Sequence, residues 1–181
     1  VGMSKLIAVV GMAGSGKSIA TDYLENKGWN KIYFGGAIMD KLKEEGKEVT
    51  PANEKKCRED IRAKYGMAAV AVLLEERIKK AYEEKDTVLD GLYSWDEYVY
   101  LKEKFKELVL VSIVCDKEKR YDRVSVRDIR PFNREEIVIR DVSEIENLAK
   151  GGPIAYADYY IFNNGTVDNY IERLEEIIRE I

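Results

Sequence analysis

The chain has 181 residues, of which 45% are hydrophobic and 35% charged, and its formal net charge is −4. That length allows one domain with a buried core, and the near-balance of charges gives no reason to expect a large nucleic-acid interface, which needs a basic face. Because there is no histidine, Ser-His-Asp triads and His-ligated zinc are excluded, and any general base must be a carboxylate.

Short apolar runs alternate with longer amphipathic or charged stretches along the chain. Gly35-Gly36 is expected to stop the second strand, and Gly151-Gly152-Pro153 is expected to end the helix before the fifth strand. The predicted strands are 5–10, 31–34, 87–91, 108–115 and 159–163, and the predicted helices are 18–27, 37–45, 53–65, 68–84, 95–106, 117–126, 135–150 and 167–181. This alternation is typical of the α/β class, with a parallel sheet covered by helices on both faces. We expect a single domain over residues 3–181.

The cellular setting follows from segments that the sequence lacks. There is no signal-peptide pattern, and no apolar run approaches the ~20 residues of a membrane span, so we expect a cytoplasmic protein without a membrane partner. Val1-Gly2 ahead of Met3 resembles residues added for expression, and we expect Met3 to be the native start. Cys57 and Cys115 match no metal spacing, and Cys115 ends an apolar run, which favours a buried core thiol.

The segment after the first strand has the spacing Gly11-x-x-x-x-Gly16-Lys17-Ser18 and opens a helix. This P-loop pattern wraps a phosphate with backbone N–H groups, and a Cβ at the glycines would block the approach. Lys17 is predicted to bind the β- and γ-phosphates of ATP, and the Ser18 hydroxyl to ligate Mg²⁺. The predicted nucleotide-binding residues of this segment are Gly11, Ala13, Gly14, Ser15, Gly16, Lys17, Ser18 and Ile19.

A carboxylate, Asp90, ends the third predicted strand. Open parallel sheets bind ligands at the carboxyl ends of their strands, so Asp90 is predicted to hold Mg²⁺ or to take a proton from an acceptor hydroxyl. The alternative is a turn or helix-capping aspartate before Gly91.

Five arginines lie at spacings of three or four, namely Arg120, Arg123, Arg127, Arg130 and Arg134. While a helix persists they share a face, and Asp128 and Pro131 interrupt it, which favours a lid over about residues 127–134. Guanidinium groups on a lid stabilise the charge of a transferring phosphoryl group, with Arg123 and Arg127 as the leading candidates. The alternative is a solvated charged face, paired with Asp122, Asp128 and Glu135.

These segments together resemble the nucleoside-monophosphate-kinase-like branch of P-loop proteins. The similarity is greatest to a largely archaeal family of nucleotide-kinase-like proteins that is related to adenylate kinase and dephospho-coenzyme A kinase. Besides the P-loop, it rests on Gly46-x-x-x-Thr50-Pro51-x-Asn53, Arg62-x-Lys64-Tyr65-Gly66-Met67-x-Ala69-Val70-Ala71, Leu89-Asp90-Gly91-Leu92-x-Ser94, Arg140-Asp141 and Ala157-Asp158-Tyr159-x-Ile161-x-Asn163-x-Gly165-Thr166.

The resemblance implies a three-layer P-loop NTPase fold with a five-stranded parallel sheet in the order 2-3-1-4-5 and an arginine lid. It also implies substrate-side helices over about residues 37–84. Asn163 and Gly165 would lie beside the base of ATP. The two arginines with which such kinases hold the acceptor phosphate are missing, because Asp40 and Tyr93 stand at their positions. Arg58, Arg62 and Lys41 are the candidate replacements.

Two functions remain open from the sequence. One is an ATP-dependent phosphotransferase with catalytic residues Lys17, Asp90, Arg123 and Arg127, acting on a small nucleotide-like or hydroxyl acceptor bound by Asp40, Arg62 and Tyr93. An acid at position 40 would fit a hydroxyl acceptor such as a nucleoside or dephospho-coenzyme A. The other is a nucleotide-binding switch or assembly ATPase with slow hydrolysis, whose acceptor pocket would be filled by side chains. We expect a monomer or homodimer in either case.

Overall fold

The computed structural model describes residues 4–126 and 133–181, in which strands and helices alternate. The strands are β1 (Leu6–Val10), β2 (Asn30–Tyr33), β3 (Thr87–Asp90), β4 (Val109–Val114) and β5 (Tyr159–Phe162). The helices are α1 (Lys17–Asn26), α2 (Phe34–Glu44), α3 (Pro51–Tyr65), α4 (Ala69–Glu84), α5 (Trp95–Lys104), α6 (Lys117–Val126), α7 (Arg134–Leu148), α8 (Gly151–Ala155) and α9 (Val167–Glu180).

All strand pairs are parallel, and the five strands form one sheet in the order β2-β3-β1-β4-β5. The predicted fold class and strand order are therefore confirmed. In the register of the sheet, Val9 of β1 lies opposite Asp90 of β3, and Val10 lies opposite Ser112 of β4. The segment that follows β1 thus leaves the middle of the sheet beside the carboxyl end of β3.

The central strand β1 is buried on both sides because helices cover both faces of the sheet. Leu6, Ala8 and Val10 pack into a core with α2, α4 and α5, whereas Ile7 and Val9 pack into a second core with α1 and α9. A smaller cluster of Ala13, Tyr121, Val124 and Ile137 packs α6 and α7 against the segment after β1.

Two helix starts on the acceptor side of the fold follow from their sequences. Thr50 accepts a hydrogen bond from the backbone of Asn53 at 3.1 Å, and Pro51 occupies the first turn of α3, where its missing N–H costs nothing. Ser94 and Glu97 form a reciprocal capping box at the start of α5. The first cap fixes the start of α3, which lines a cavity described below, and the second fixes the loop before α5, whose Tyr93 lines the same cavity.

The structure differs from the sequence-based expectations at two glycine pairs. Gly35 and Gly36 lie inside the first turn of α2 rather than ending β2, because the Tyr33 ring packs over that turn, and a Cβ on Gly35 would meet the ring at 2.6 Å. Gly151 and Gly152 begin the unpredicted short helix α8, in which a Cβ on Gly152 would lie 2.8 Å from the Trp95 ring. One glycine of each pair, Gly35 and Gly152, thus permits close packing against an aromatic side chain.

Two further expectations concern the cysteines and the membrane. Cys115 is only half-buried, with its sulfur 3.3 Å from a guanidinium nitrogen of Arg123, whereas Cys57 is the buried thiol. The expected core position of Cys115 is therefore corrected.

Over residues 4–126 and 133–181, no helix has the length and apolar character needed to cross a bilayer.

Candidate functional site

The loop between β1 and α1 is fixed in place by hydrogen bonds from side chains to its carbonyl oxygens. Four consecutive carbonyl oxygens, those of residues 13–16, each accept a hydrogen bond from a side chain elsewhere in the fold. The donors and their distances are Arg120 to Ala13 at 3.0 Å, Arg123 to Gly14 at 3.4 Å, Asn163 to Ser15 at 2.9 Å and Tyr170 to Gly16 at 2.8 Å. The N–H of a trans peptide points opposite to its carbonyl. The N–H groups of residues 14–17 are therefore turned away from these donors, as anion binding requires, and that of Ser15 also donates to the Met12 carbonyl at 3.1 Å.

The glycines of the loop are required by its path. Gly14 has a φ of 81° and Gly16 a φ of 96°, in the left-handed region that glycine adopts without steric cost. A Cβ on Gly14 would also lie 2.6 Å from the backbone oxygen of Arg120. α1 begins directly after Gly16 and has no side-chain cap, so the positive end of its dipole adds to the attraction of the loop for an anion.

Lys17 is half-buried at the first position of α1, and its ammonium group donates a hydrogen bond to the Gly11 carbonyl at 2.8 Å. The pKa of Lys17 is lowered to about 7, mainly by burial and secondarily by the positive charge of Lys150. The carboxylates of Glu144 and Asp90 act in the opposite direction. An anion bound in the loop would restore the charged ammonium form.

Ser18 and Asp90 line the same cavity of about 330 Å³ next to the loop, together with Lys17 and Arg123. Burial raises the pKa of Asp90, and the positive charges of Lys31 and Lys17 oppose that shift. Within the described ranges no group of three or more carboxylate or thiol side chains is placed to hold a metal. A hydroxyl and one carboxylate do fit Mg²⁺, which commonly takes one or two protein ligands and completes its shell with phosphate oxygens and water.

The predicted arginine cluster divides between different environments. Arg120 is buried and forms a two-bond ion pair with Asp141, while Arg123 donates to the Asn163 carbonyl at 2.7 Å as well as to the loop. Arg134 is exposed and pairs with Glu118. Arg120 and Arg123 thus stabilise the loop. The prediction that they share the face of a lid with Arg134 is therefore wrong for these described residues. Arg127, Arg130 and most of the predicted lid lie outside the described residues.

A second cavity, of about 300 Å³, opens among β2, α2, α3, α4, α7 and the loop between β3 and α5. We call it the acceptor cavity, after the substrate role that the sequence predicts for two residues of its wall, Arg62 and Tyr93. Arg58 and Arg62 lie on one face of α3 and line it together with Tyr93 and Arg140. The remaining lining residues are Tyr33, Phe34, Gly35, Ile38, Met39, Glu54, Val70, Glu144 and Leu148. Small-molecule sites have volumes from roughly 300 to 1,000 Å³, so the cavity lies at the small end of that range.

Asp40 does not lie at the acceptor cavity. Its carboxylate is half-exposed and pairs with Arg77 of α4 at 2.9 Å, because the turn of α2 that directs Ile38 and Met39 into the cavity directs the next residue outward. Lys41 likewise pairs with Glu45 on the surface of α2. The predicted substrate role of Asp40 is therefore corrected, and two of the three candidate replacements, Arg58 and Arg62, reach the cavity.

Arg140 lines both cavities and therefore stands between the P-loop and the acceptor side. Its Nε is 3.0 Å from Glu144, one helical turn further along α7, and the other Glu144 oxygen is 2.7 Å from the Lys150 ammonium. In the sequence, Arg140 stands out only as part of the Arg140-Asp141 segment, and no motif marks Glu144 or Lys150.

The residues predicted to lie beside the base are placed near the P-loop with different roles. Asn163 is buried, and its side-chain amide holds the Ser15 carbonyl. Gly165 lies in the exposed turn before α9, and Ile19 donates its backbone N–H to the Gly16 carbonyl at 3.2 Å. Tyr170, which the sequence marks only as one residue of an amphipathic helix, donates a hydrogen bond to the carbonyl of Gly16 at the end of the loop.

Comparison with known proteins agrees with this architecture. The profile of a family described as AAA domain matches residues 7–142. A UPF0200 protein of Sulfurisphaera tokodaii is 31% identical over 179 residues, covering 98% of this chain and 97% of its own. A UPF0200 protein of Methanococcus maripaludis is 30% identical, with 98% of this chain and 97% of its own covered.

Solved structures with the same fold include kinases. A protein of Thermus thermophilus superposes with a TM-score of 0.68 at 16% identity, covering 99% of both chains. Shikimate kinase of Bacteroides thetaiotaomicron superposes with a TM-score of 0.61 at 12% identity, covering 97% of this chain and 98% of its own. The chain therefore has a P-loop fold of the kinase-like kind.

Proposed function

The chain belongs to the UPF0200 family and carries an AAA domain, and on this premise we propose that it is an ATP-dependent phosphotransferase acting on a small acceptor of nucleotide type. The observation that carries the proposal is the pair of adjoining cavities. One contains Lys17, Ser18 and Asp90, the other contains Arg58 and Arg62, and Arg140 lines both. Two sites joined in this way bring a phosphate donor and an acceptor together.

On the donor side, the loop's N–H groups and Lys17 bind the phosphates of ATP. Ser18 and Asp90 would hold Mg²⁺, which would supply neutralising charge to the phosphate oxygens. The raised pKa of Asp90 also fits a carboxylate that takes a proton from an acceptor hydroxyl. Arg123 keeps the loop in its binding conformation, and the proposed part of Arg127 is to cover the transferring group.

On the acceptor side, the arginines favour an anionic ligand. Arg58 and Arg62 are four residues apart on α3, so their guanidinium groups project from the same face and can grip one phosphate or carboxylate. The rings of Tyr33 and Tyr93 supply flat walls on which a base can stack. With Asp40 outside the cavity, the reason for preferring an uncharged hydroxyl acceptor is removed.

The alternative, a slowly hydrolysing nucleotide switch, requires an acceptor side that is filled by side chains. The cavity of about 300 Å³ speaks against it. The switch is the function to conclude if the test below finds no acceptor.

The test is an ADP-release assay with Mg²⁺ and ATP against nucleoside monophosphates, nucleosides and dephospho-coenzyme A, with Lys17→Ala as the blank. We expect a Lys17-dependent stimulation by at least one nucleoside monophosphate. Slow ADP release that depends on Lys17 and ignores every acceptor would instead establish the switch.

A matched pair of arginine variants tests the acceptor side. Arg62→Met removes a cavity cation, whereas Arg77→Met removes an exposed one that pairs with Asp40. Loss of a charge-assisted contact of about 1.5–3 kcal/mol corresponds to a rise in acceptor KM of roughly 10- to 100-fold. We expect this rise for Arg62→Met, with the KM for ATP unchanged and Arg77→Met at wild-type values. Equal behaviour of both variants would contradict the proposed acceptor site.

A further inference from the structure

Glu54 is an acidic residue on a helix face that is otherwise set up to bind an anion. It lies four residues before Arg58 and eight before Arg62, so the three side chains project from one side of α3, and all three line the acceptor cavity. A carboxylate beside two guanidinium groups weakens the attraction of the cavity for a phosphate. Phosphate binding therefore gives no reason for an acid at this position.

The three side chains are not used for one another. Glu54 and Arg58 have the spacing at which an acid and a base often form an ion pair on a helix, and Lys56 and Asp60 on the same helix do pair in this way, at 3.4 Å. In the described ranges, however, Glu54 forms no ion pair with a basic side chain, and neither cavity arginine of α3 pairs with a carboxylate. All three groups are thus left for a ligand.

The arginine end of this face contains a donor that needs an acceptor. The Nε of Arg62 is buried and has no hydrogen-bond partner among the described residues. Burial of a donor without a partner is unfavourable, and an anion in the cavity would remove that cost. The phosphate of an acceptor therefore fits the end of the face that carries Arg58 and Arg62.

Glu54 lies at the other end of the face. The rise of an α-helix separates it from the two arginines by about 6 and 12 Å along the axis. Its backbone position is fixed, because Thr50 caps the helix and the side chain of Asn53 donates to the Glu48 carbonyl at 2.8 Å. A nucleotide that is bound through its phosphate at the arginines has its base on the side of Glu54.

The chemistry of a carboxylate limits which base it can bind. Its two oxygens accept hydrogen bonds, and it has no donor. Guanine presents two adjacent N–H donors, those of N1 and N2, which match the two oxygens. Adenine and cytosine each present one donor beside a ring nitrogen that is itself an acceptor, and this nitrogen would face a carboxylate oxygen unfavourably.

We propose that Glu54 determines the specificity of the acceptor cavity and selects guanine, by accepting hydrogen bonds from N1–H and N2–H of the base. The inference rests on the proposed phosphotransferase function and names its acceptor as guanosine monophosphate (GMP). Arg58 and Arg62 bind the phosphate, and the base packs between the walls of the cavity. The opposite charges also fix the direction of binding, since the reverse orientation would place the phosphate against Glu54.

The first experiment compares kcat/KM for GMP, inosine monophosphate and AMP with saturating Mg²⁺ and ATP. Inosine monophosphate keeps N1–H and lacks the amino group, so it loses one hydrogen bond to the carboxylate. Such a loss corresponds to about 10- to 100-fold. We expect kcat/KM to be lower than that for GMP by this factor for inosine monophosphate, and by at least about 100-fold for AMP.

Glu54→Gln is the sharper test, because it replaces one acceptor of the side chain by a donor. A glutamine amide matches the donor and the acceptor of adenine, whereas it offers guanine only one acceptor. We expect the variant to lower kcat/KM for GMP by about 10- to 100-fold, to raise it for AMP, and to leave the KM for ATP unchanged. The matched control is Glu59→Gln, an exposed glutamate of the same helix, which should keep the wild-type preference.

A purely structural role of Glu54 gives a different result. Glu54 lies in the first turn of α3, where a negative charge stabilises the positive end of the helix dipole. If that is its whole role, Glu54→Gln lowers the urea midpoint of unfolding and changes kcat/KM for GMP and AMP by the same factor. An unchanged ratio of the two values therefore overturns the inference.

Binding without turnover separates the inference from the proposed function. Calorimetry with the donor site filled by Mg²⁺ and a non-hydrolysable ATP analogue measures the affinities for GMP and AMP. We expect GMP to bind at least about tenfold more tightly than AMP, and Glu54→Gln to abolish the difference. Equal affinities, or no binding of GMP, overturn the inference even if AMP is phosphorylated. Glu54-dependent binding of GMP without any phosphoryl transfer supports the base selection and overturns the proposed function alone.

Discussion

Arg120 and Asp141 form a buried ion pair with two hydrogen bonds, of 2.8 and 3.2 Å, that joins α6 to α7. The same guanidinium group donates to the Ala13 carbonyl of the P-loop at 3.0 Å. Arg140 precedes Asp141 and lines both cavities. The ion pair thus fixes the position of the acceptor side relative to the phosphate loop.

Removal of the carboxylate of this pair should be strongly destabilising. Asp141→Asn leaves the buried Arg120 charge uncompensated, and we expect a loss of about 3–5 kcal/mol in the free energy of unfolding, measured by urea titration. Arg134→Met is a matched control, because Arg134 and Glu118 also join α7 to α6 but are both exposed. Exposed pairs contribute about 0–1 kcal/mol. Equal losses in the two variants would contradict the assigned role of the buried pair.

Binding of ATP should take up a proton above neutral pH. The pKa of Lys17 in the free protein is about 7, so at pH 8 most molecules carry a neutral amine, and bound phosphates favour the ammonium form. Affinity should therefore fall by up to about tenfold per unit as the pH rises above 7.

Isothermal titration calorimetry in buffers of different ionisation enthalpy measures this proton uptake directly. Lys17→Arg is the control, since a guanidinium group stays charged over this pH range and should show a smaller uptake. The same uptake in wild type and Lys17→Arg would assign the proton to another group.

The pH dependence of stability should contain a contribution from Glu97. This carboxyl is fully buried and accepts hydrogen bonds from the backbone N–H groups of Tyr93 and Ser94, at 2.8 and 3.0 Å. Burial raises its pKa to about 7. The folded state thus binds more protons than the unfolded state between about pH 4.5 and 7, so this contribution to stability is present at low pH and is lost as the pH rises through 7.

Glu97→Gln keeps an oxygen acceptor for both N–H groups and removes the titration. We expect it to equal wild type within about 1 kcal/mol at pH 5 and to exceed it by about 1–3 kcal/mol at pH 8, measured as free energies of urea unfolding. The exposed Glu107→Gln, beyond the end of the same helix, is the control. A constant difference between Glu97→Gln and wild type at both pH values would refute the assignment.

Ala149 should be a site for stabilisation by glycine. Ala149 has a φ of 52°, which glycine adopts without the steric cost of a Cβ, so Ala149→Gly is expected to raise the free energy of unfolding by about 0.5–1 kcal/mol. Ala155 lies at the end of α8 in a helical conformation, so Ala155→Gly should lower the free energy of unfolding by a similar amount. Thermal unfolding of the two variants beside wild type would show the opposite signs.

Much of the phosphate site follows from local sequence. The spacing of Gly11, Gly16 and Lys17 between an apolar strand and a helix predicts the loop, and Asp90 at the end of a strand predicts its neighbour, because both depend on residues adjacent in the chain. The prediction for Asp40 was wrong because the packing of α2 against α4 decides which side of α2 each residue faces. This packing places Asp40 beside Arg77 of α4.

The donors that hold the loop could not be predicted in this way. The apolar pattern of α9 indicates that Tyr170 is buried. It does not show that the Tyr170 hydroxyl reaches the Gly16 carbonyl, because that contact depends on how α9 packs against the rest of the fold. Lys150 is similar, since its burial depends on the unpredicted helix α8 and on the backbone turn at Ala149.

The hydrogen bonds from Asn163 and Tyr170 join the loop to residues 148 and 154 positions later. Such long-range contacts form late, because the intervening chain must first be brought into place. During synthesis, β1 and α1 leave the ribosome well before either donor has been made. A nascent chain therefore cannot complete the contacts that hold this loop before Tyr170 has been made, and under the proposed function ATP cannot stabilise it before that point.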